Sequence, residues 1–242
     1  MSNLVQGVTF SLNSLNDFSH QALAIEIIQT MCDSPVNVRP TQFGEFEGVS
    51  RLANSAEPAK LLVASGEIFQ AGGVVLSKGK DCEYQIQWNK SQPNIFPFIS
   101  GHLMEHSYGR APDVLLQFLS LVKRLALTTD AFYGDIRSMA FPGWDTPFNL
   151  HMRLPDIPNI SLYGKPYIEL FGRKKIESAP FHRIEKISND IYWLQATHSV
   201  TEPVSDEIRL AIRSHLGEDA FMVGRKWRYK DGLHPEFGSQ NH

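Results

Sequence analysis

Polar and apolar residues alternate most clearly where Glu83, Gln85 and Gln87 interleave with Tyr84, Ile86 and Trp88. A period of two sends the two sets to opposite sides of an extended chain, so the segment predicts a strand with one buried face. Val74-Val75-Leu76 precedes it across Lys78-Gly79-Lys80-Asp81, which has the composition of a turn, and together they predict a hairpin. Residues 8–12 alternate more weakly, as a first strand. Residues 96–103 and 132–141 read as extended. Residues 36–52 predict strand with turns, placing Phe43, Glu45 and Glu47 on one face and Phe46 on the other. A second hairpin is predicted from residues 181–187 and 191–197 through Ser188-Asn189-Asp190.

Elsewhere the period changes to that of a helix. Phe18, Ala22, Ile25 and Ile28 or Gln29, widened by Leu23 and Ile27, predict a helix capped within residues 14–17 and stopped near Cys32 by Asp33-Ser34-Pro35. The strongest pattern spans 112–128, with Pro112 and Asp113 at its start and Leu115, Phe118, Leu119, Val122, Leu125 and Ala126 as its stripe. A third helix starts after Ser205. Asp206 and Glu207 lie in its first turn, Ile208, Ala211, Ile212 and Leu216 form its apolar face, and Gly217 is its C-cap. A short helix is predicted at 58–64. Residues 235–242 read as a polar, loose end. Helices interspersed with hairpins predict an α+β fold: a mostly antiparallel sheet, or sheets, with three main helices packed on it. A length of 242 residues suits one domain over 1–242, with two lobes, 1–109 and 110–242, as the alternative.

Bulk composition narrows the function. A formal net charge of −3 predicts neither a general nucleic-acid binder nor a polyanionic tail. Two cysteines, Cys32 and Cys82, make no disulfide framework and read as small buried hydrophobes. The start has no basic segment followed by an apolar one, and no apolar run approaches a membrane span. The expectation is a cytoplasmic protein without a signal peptide.

One motif carries catalytic chemistry on paper. His102-Leu103-Met104-Glu105-His106 matches H-x-x-E-H, in which two histidines one helical turn apart hold zinc and a glutamate activates water. Glu169 or Glu177 would be the third ligand. Gly101 and Gly109 bracket the motif and leave it under two turns, and the residues before it read as extended, so surface histidines in a loop or strand are the favoured reading. Arg225-Lys226-Trp227-Arg228-Tyr229-Lys230 mixes cations and aromatics as a single-strand platform would. In an acidic chain it reads better as a solvated C-terminal strand.

The chain is organised around Tyr163-Gly164-Lys165-Pro166-Tyr167-Ile168-Glu169-Leu170-Phe171-Gly172-Arg173-Lys174-Lys175-Ile176, closed by Ala179-Pro180. Pro166 suits a first helical turn, and Gly172 can end the helix in a left-handed conformation. A hairpin follows, ending in Trp193-Leu194-Gln195-Ala196-Thr197. This succession, over roughly residues 133–197, resembles the C-terminal half of bacterial immunity proteins, with the immunity protein 52 family as the nearest likeness. These are antidotes encoded beside secreted polymorphic toxins. The resemblance implies a non-enzymatic protein, with no cofactor, that binds a cognate toxin delivered by type VI secretion, a nuclease of the restriction-endonuclease fold. The partner is then a protein, neither nucleic acid nor membrane, and the chain a monomer or homodimer. Candidate toxin contacts are Glu45, Glu47 and Asp145, whose carboxylates could mimic phosphates, and Trp144 in the loop Pro142-Gly143-Trp144-Asp145-Thr146-Pro147. The alternative is a zinc hydrolase built on His102, Glu105 and His106.

Overall fold

A computed structural model describes residues 6–44, 51–52, 72–88, 96–139, 152–222, 228–230 and 233–237. Within them the chain runs β1 (Gly7–Ser14), α1 (Gln21–Cys32), β2 (Gln42–Gly44), β3 (Arg51–Leu52), β4 (Gly73–Lys78), β5 (Cys82–Gln87), β6 (Phe98–Met104), α2 (Glu105–Arg110), α3 (Asp113–Thr128), β7 (Ala131–Ser138), β8 (Ile160–Tyr163), α4 (Lys165–Phe171), α5 (Arg173–Glu177), β9 (Arg183–Ser188), β10 (Ile191–Gln195) and α6 (Asp206–Leu216). The fold is α+β. All ten described strands join one sheet, in the order β3-β2-β4-β5-β6-β1-β7-β8-β10-β9, and every neighbouring pair is antiparallel.

The sheet has two cores. Val8, Phe10 and Leu12 of β1, Tyr84 and Ile86 of β5, and Ile99 and Leu103 of β6 meet α1 and α3. Phe118 of α3 sits edge-on to Phe10, with centroids 5.6 Å apart, and stacks on Tyr84 at 6.3 Å. Gly101 makes room for this ring cluster: a Cβ there would lie 2.5 Å from the Glu83 carbonyl oxygen and under 3 Å from the Phe10 and Tyr84 rings. The second core lies under α4, α5 and α6, where Tyr133, Tyr163, Tyr192 and Leu194 of the sheet meet Tyr167, Phe171, Ile212 and Phe221. Strands β7 and β8 are therefore buried on both faces, and β10 nearly so.

Several expectations shift in phase or place. The cap of α1 is His20. Asp17 instead forms a turn ahead of the helix, its carboxylate accepting from the Ser19 N–H (2.8 Å) and hydroxyl (2.6 Å). The buried face of α1 is Ala24, Ile27, Ile28 and Met31, so Ala22 points outward. In α6, Ile212 and Leu216 are buried while Ala211 is exposed. Of the described residues in the 36–52 segment, 42–44 and 51–52 are strand while 36–41 are not, and Val36 is 67% exposed. Strand β8, which follows Pro155 and Pro158, has no counterpart among the expected strands. The C-terminal end is anchored as far as it is described: Pro235 is buried, and Phe237 packs 5.1 Å from Phe132 and 5.2 Å from Phe96. The predicted helix at 58–64 lies outside the described residues.

The central stretch forms α4 and α5. Gly172 stands between them at φ 83°, the left-handed conformation its lack of a side chain permits. Lys175 then reaches α6, its Nζ donating to the Leu216 carbonyl at 2.7 Å, where the helix dipole is negative.

Candidate functional site

Three places in the molecule gather chemistry that packing alone does not require. The first is the face of β4, β5, β6 and β1 turned away from α1 and α3. Cross-strand register sets Ser77, Glu83, His102, Thr9 and Arg137 in one row, and Val75, Gln85, Ser100, Ser11 and Asp135 in the next. Apart from Glu83 and His102, the residues of these rows on β4, β5, β6 and β1 carry no charge. Thr9 already donates to the Gly101 carbonyl at 3.0 Å. Burial pushes the His102 pKa down, and the Glu83 carboxylate opposes the shift.

That shift has a sign. Between the ordinary histidine value, about 6.5, and the lower folded value, the unfolded chain binds a proton that the folded chain does not. This contribution to stability is therefore present above the unfolded pKa and lost as pH falls through the window. His102→Gln is expected to lose less stability than the parent between pH 7 and pH 5, read from urea midpoints. Equal losses would show that His102 does not contribute.

The second place is where this face meets the second core. Tyr133, Asp135 and Arg137 lie on one side of β7, two residues apart. Arg137 donates from Nε to Asp135 Oδ1 at 3.1 Å and from Nη2 to Oδ2 at 3.0 Å, and the Tyr133 hydroxyl adds a bond of 3.2 Å to Oδ2. Both charges are buried, at 6% and 8% exposure. Burial alone would lower the Arg137 pKa, but the Asp135 carboxylate and the Tyr133 hydroxyl reverse it. Burial and the Asp135 charge both raise the Tyr133 pKa. A bidentate pair of this kind fixes geometry, and nothing in it is a nucleophile or a free base. The signal was in the sequence: a carboxylate and a guanidinium at i and i+2 of an otherwise apolar strand must share one face.

The third is an open cleft of about 720 Å³ between α6, the start of β9 and the loop that leaves β10. Phe181, Ala196, Ile208 and Ala211 supply apolar lining, with His182, His198, Glu202 and Glu207 around them. The two imidazoles stand 6.3 Å apart, edge to face. The loop is tied down by its own bonds: Gln195 Nε2 donates to the Thr197 carbonyl at 2.6 Å, and Thr197 Oγ1 donates to the Ser199 carbonyl. Asn159 clamps it from below, Nδ2 donating to the Glu202 carbonyl at 2.6 Å while Oδ1 accepts from the Ser138 N–H at 3.0 Å. No periodicity in the sequence marks this cleft, because its walls come from three separated segments.

Glu45, Glu47, Trp144 and Asp145 lie outside the described residues. The H-x-x-E-H arrangement is not formed. His102 is in β6 and Glu105 opens α2, so the chain changes from strand to helix inside the motif, and the two histidines do not share one helix face. His106 Nε2 instead meets Asp81 Oδ1 at 3.0 Å. The nominal third ligands are also elsewhere: Glu169 is exposed beside Lys165, and Glu177 accepts from the Tyr192 hydroxyl at 2.5 Å. Among the described residues no group of three His, Cys, Asp or Glu could hold a metal ion. Residues 225–227 of the basic run lie outside the described residues. Tyr229 packs partly buried against the second core and Lys230 pairs with Asp219, so the end of the run is not the solvated strand expected. Among the described residues no helix is long and apolar enough to cross a membrane.

No protein-family model matches the chain, and no curated protein matches it significantly. Among solved structures that match is the Pseudomonas aeruginosa T6SS protein PA0821, with a TM-score of 0.59 over 97% of this chain and 77% of that one. At 13% identity the likeness is one of fold.

Proposed function

We propose that the chain is an immunity protein of a type VI secretion system, which binds a cognate secreted toxin in the cytoplasm and blocks it. The observation that carries this reading is the fold it has in common with a T6SS protein along 97% of its length. The sequence supports it independently through the resemblance to the immunity protein 52 family over roughly residues 133–197, whose central stretch, 163–176, contains the α4–α5 unit that closes the second core. The resemblance adds the finer statement that the toxin is a nuclease of the restriction-endonuclease fold. On this reading the chain works by occupying a surface and performs no chemistry. The displacement of His102 from the helix that carries His106 weighs against the zinc-hydrolase alternative.

The test is co-expression with the toxin encoded beside the chain's own gene. The expected result is restored growth and a stoichiometric complex that survives gel filtration. Growth arrest with no complex would overturn the reading.

A further inference from the structure

We infer that the cleft between α6 and the β9–β10 hairpin is the surface that seizes the toxin, and that its occupant is a polypeptide segment bearing an apolar side chain flanked by lysine or arginine. The inference rests on the immunity reading and specifies where it acts.

The apolar half of the argument is the lining. Ala211 lies on the side of α6 that the second core does not take up, since Ile212 and Leu216 fill that role, and Ile208 at the edge of that core is only partly buried. Ala211 is exposed although it belongs to the apolar stripe of the helix. With the partly buried Phe181 and Ile208 it leaves apolar surface in a recess of about 720 Å³, large enough for a bulky side chain and its neighbours.

The charged half is the rim. Glu202 and Glu207 are exposed, and neither makes an ion pair among the described residues. The carboxylates around them are different: Asp206 is held by Arg209, and Asp156 by Arg209 (3.2 Å) and Arg213 (2.7 Å). No lysine or arginine is among the described residues lining the cleft. Unpaired carboxylates of one sign beside an apolar recess select a cationic, apolar segment and speed its capture. The polar face of β4, β5, β6 and β1 lacks this combination. Its groups are mostly uncharged.

The rim is also preformed. Asn159 holds the Glu202 backbone from within the core, and the Gln195 and Thr197 bonds fix the loop, so little ordering is left to oppose binding.

The experiment uses the full chain and the toxin encoded beside its gene, with affinity measured by calorimetry at two salt concentrations. Ala211→Trp fills the recess from an exposed helix position where folding is not at stake. It is expected to weaken binding about tenfold or more. Glu202→Lys with Glu207→Lys should weaken it further and remove most of the salt dependence. Circular dichroism confirms that each variant folds. Parent-like affinity in both variants, with the parent chain bound normally, would overturn the cleft assignment and leave the immunity reading intact. Failure of the parent chain itself to bind would overturn both.

Discussion

Replacing Asp135 with alanine is expected to cost about 3–5 kcal/mol, the usual penalty when one member of a buried ion pair is removed. Arg137 is 8% exposed and directs Nε and Nη2 at the two oxygens of Asp135. Without the carboxylate, a guanidinium fixed inside the sheet loses the ion-pair partner it has among the described residues. The Tyr133 hydroxyl loses its acceptor at the same time. The control is Asp135→Ala combined with Arg137→Met, which removes the stranded charge and is expected to recover much of the loss. Urea unfolding of the three proteins checks this. A double variant no more stable than the single one would show that the pair is not the source of the cost.

Phe118→Ala should be comparably damaging, at about 3–5 kcal/mol, since it removes a fully buried ring and leaves a cavity. Phe118 is the point where α3 grips the sheet: its ring meets Phe10 of β1 and Tyr84 of β5, above the space that Gly101 keeps open. Phe118→Leu keeps most of the volume and should lose much less. Thermal unfolding of both variants distinguishes a packing role from a general intolerance of substitution. A loss below about 1 kcal/mol for the alanine variant would be inconsistent with this seat, because so small a cost implies a site able to collapse.

The long helices and the hairpins were legible because their patterns are strong. Helix α3 runs almost where expected, and Tyr84, Ile86 and Trp88 are all fully buried. The phase of the helices was less legible. In α3 the apolar positions 114, 115, 116, 118, 119, 121, 122, 125, 126 and 127 cover more than half the circumference, and the sheet selects Val114 and Leu121 over Leu115 and Leu119. Strand β8 escaped detection for the opposite reason. Its four residues are too few to establish a period, all are buried, the polar Ser161 included, and they follow two prolines. The Asp135–Arg137 pair could have been found from its spacing. The cleft could not, since Phe181, Ala196, Glu202 and Ile208 meet only once the hairpin and α6 are in place.

Strand β1 is the seam of the sheet, and this governs how the molecule is made. It is translated early, yet it lies between β6 and β7, with Phe10 opposite Gly101 on one side and Ile136 on the other. Neither edge of β1 can be satisfied until the ribosome has released the chain well past residue 101, and the second edge only after residue 138. Until then a strand carrying Val8, Phe10 and Leu12 waits with first two edges and then one edge bare, the condition in which nascent chains stick to one another. Non-local pairing of this kind closes slowly. Completion of this seam therefore waits on residues far along the chain, and a change that slows the emergence of β6 or β7 lengthens the exposure of β1.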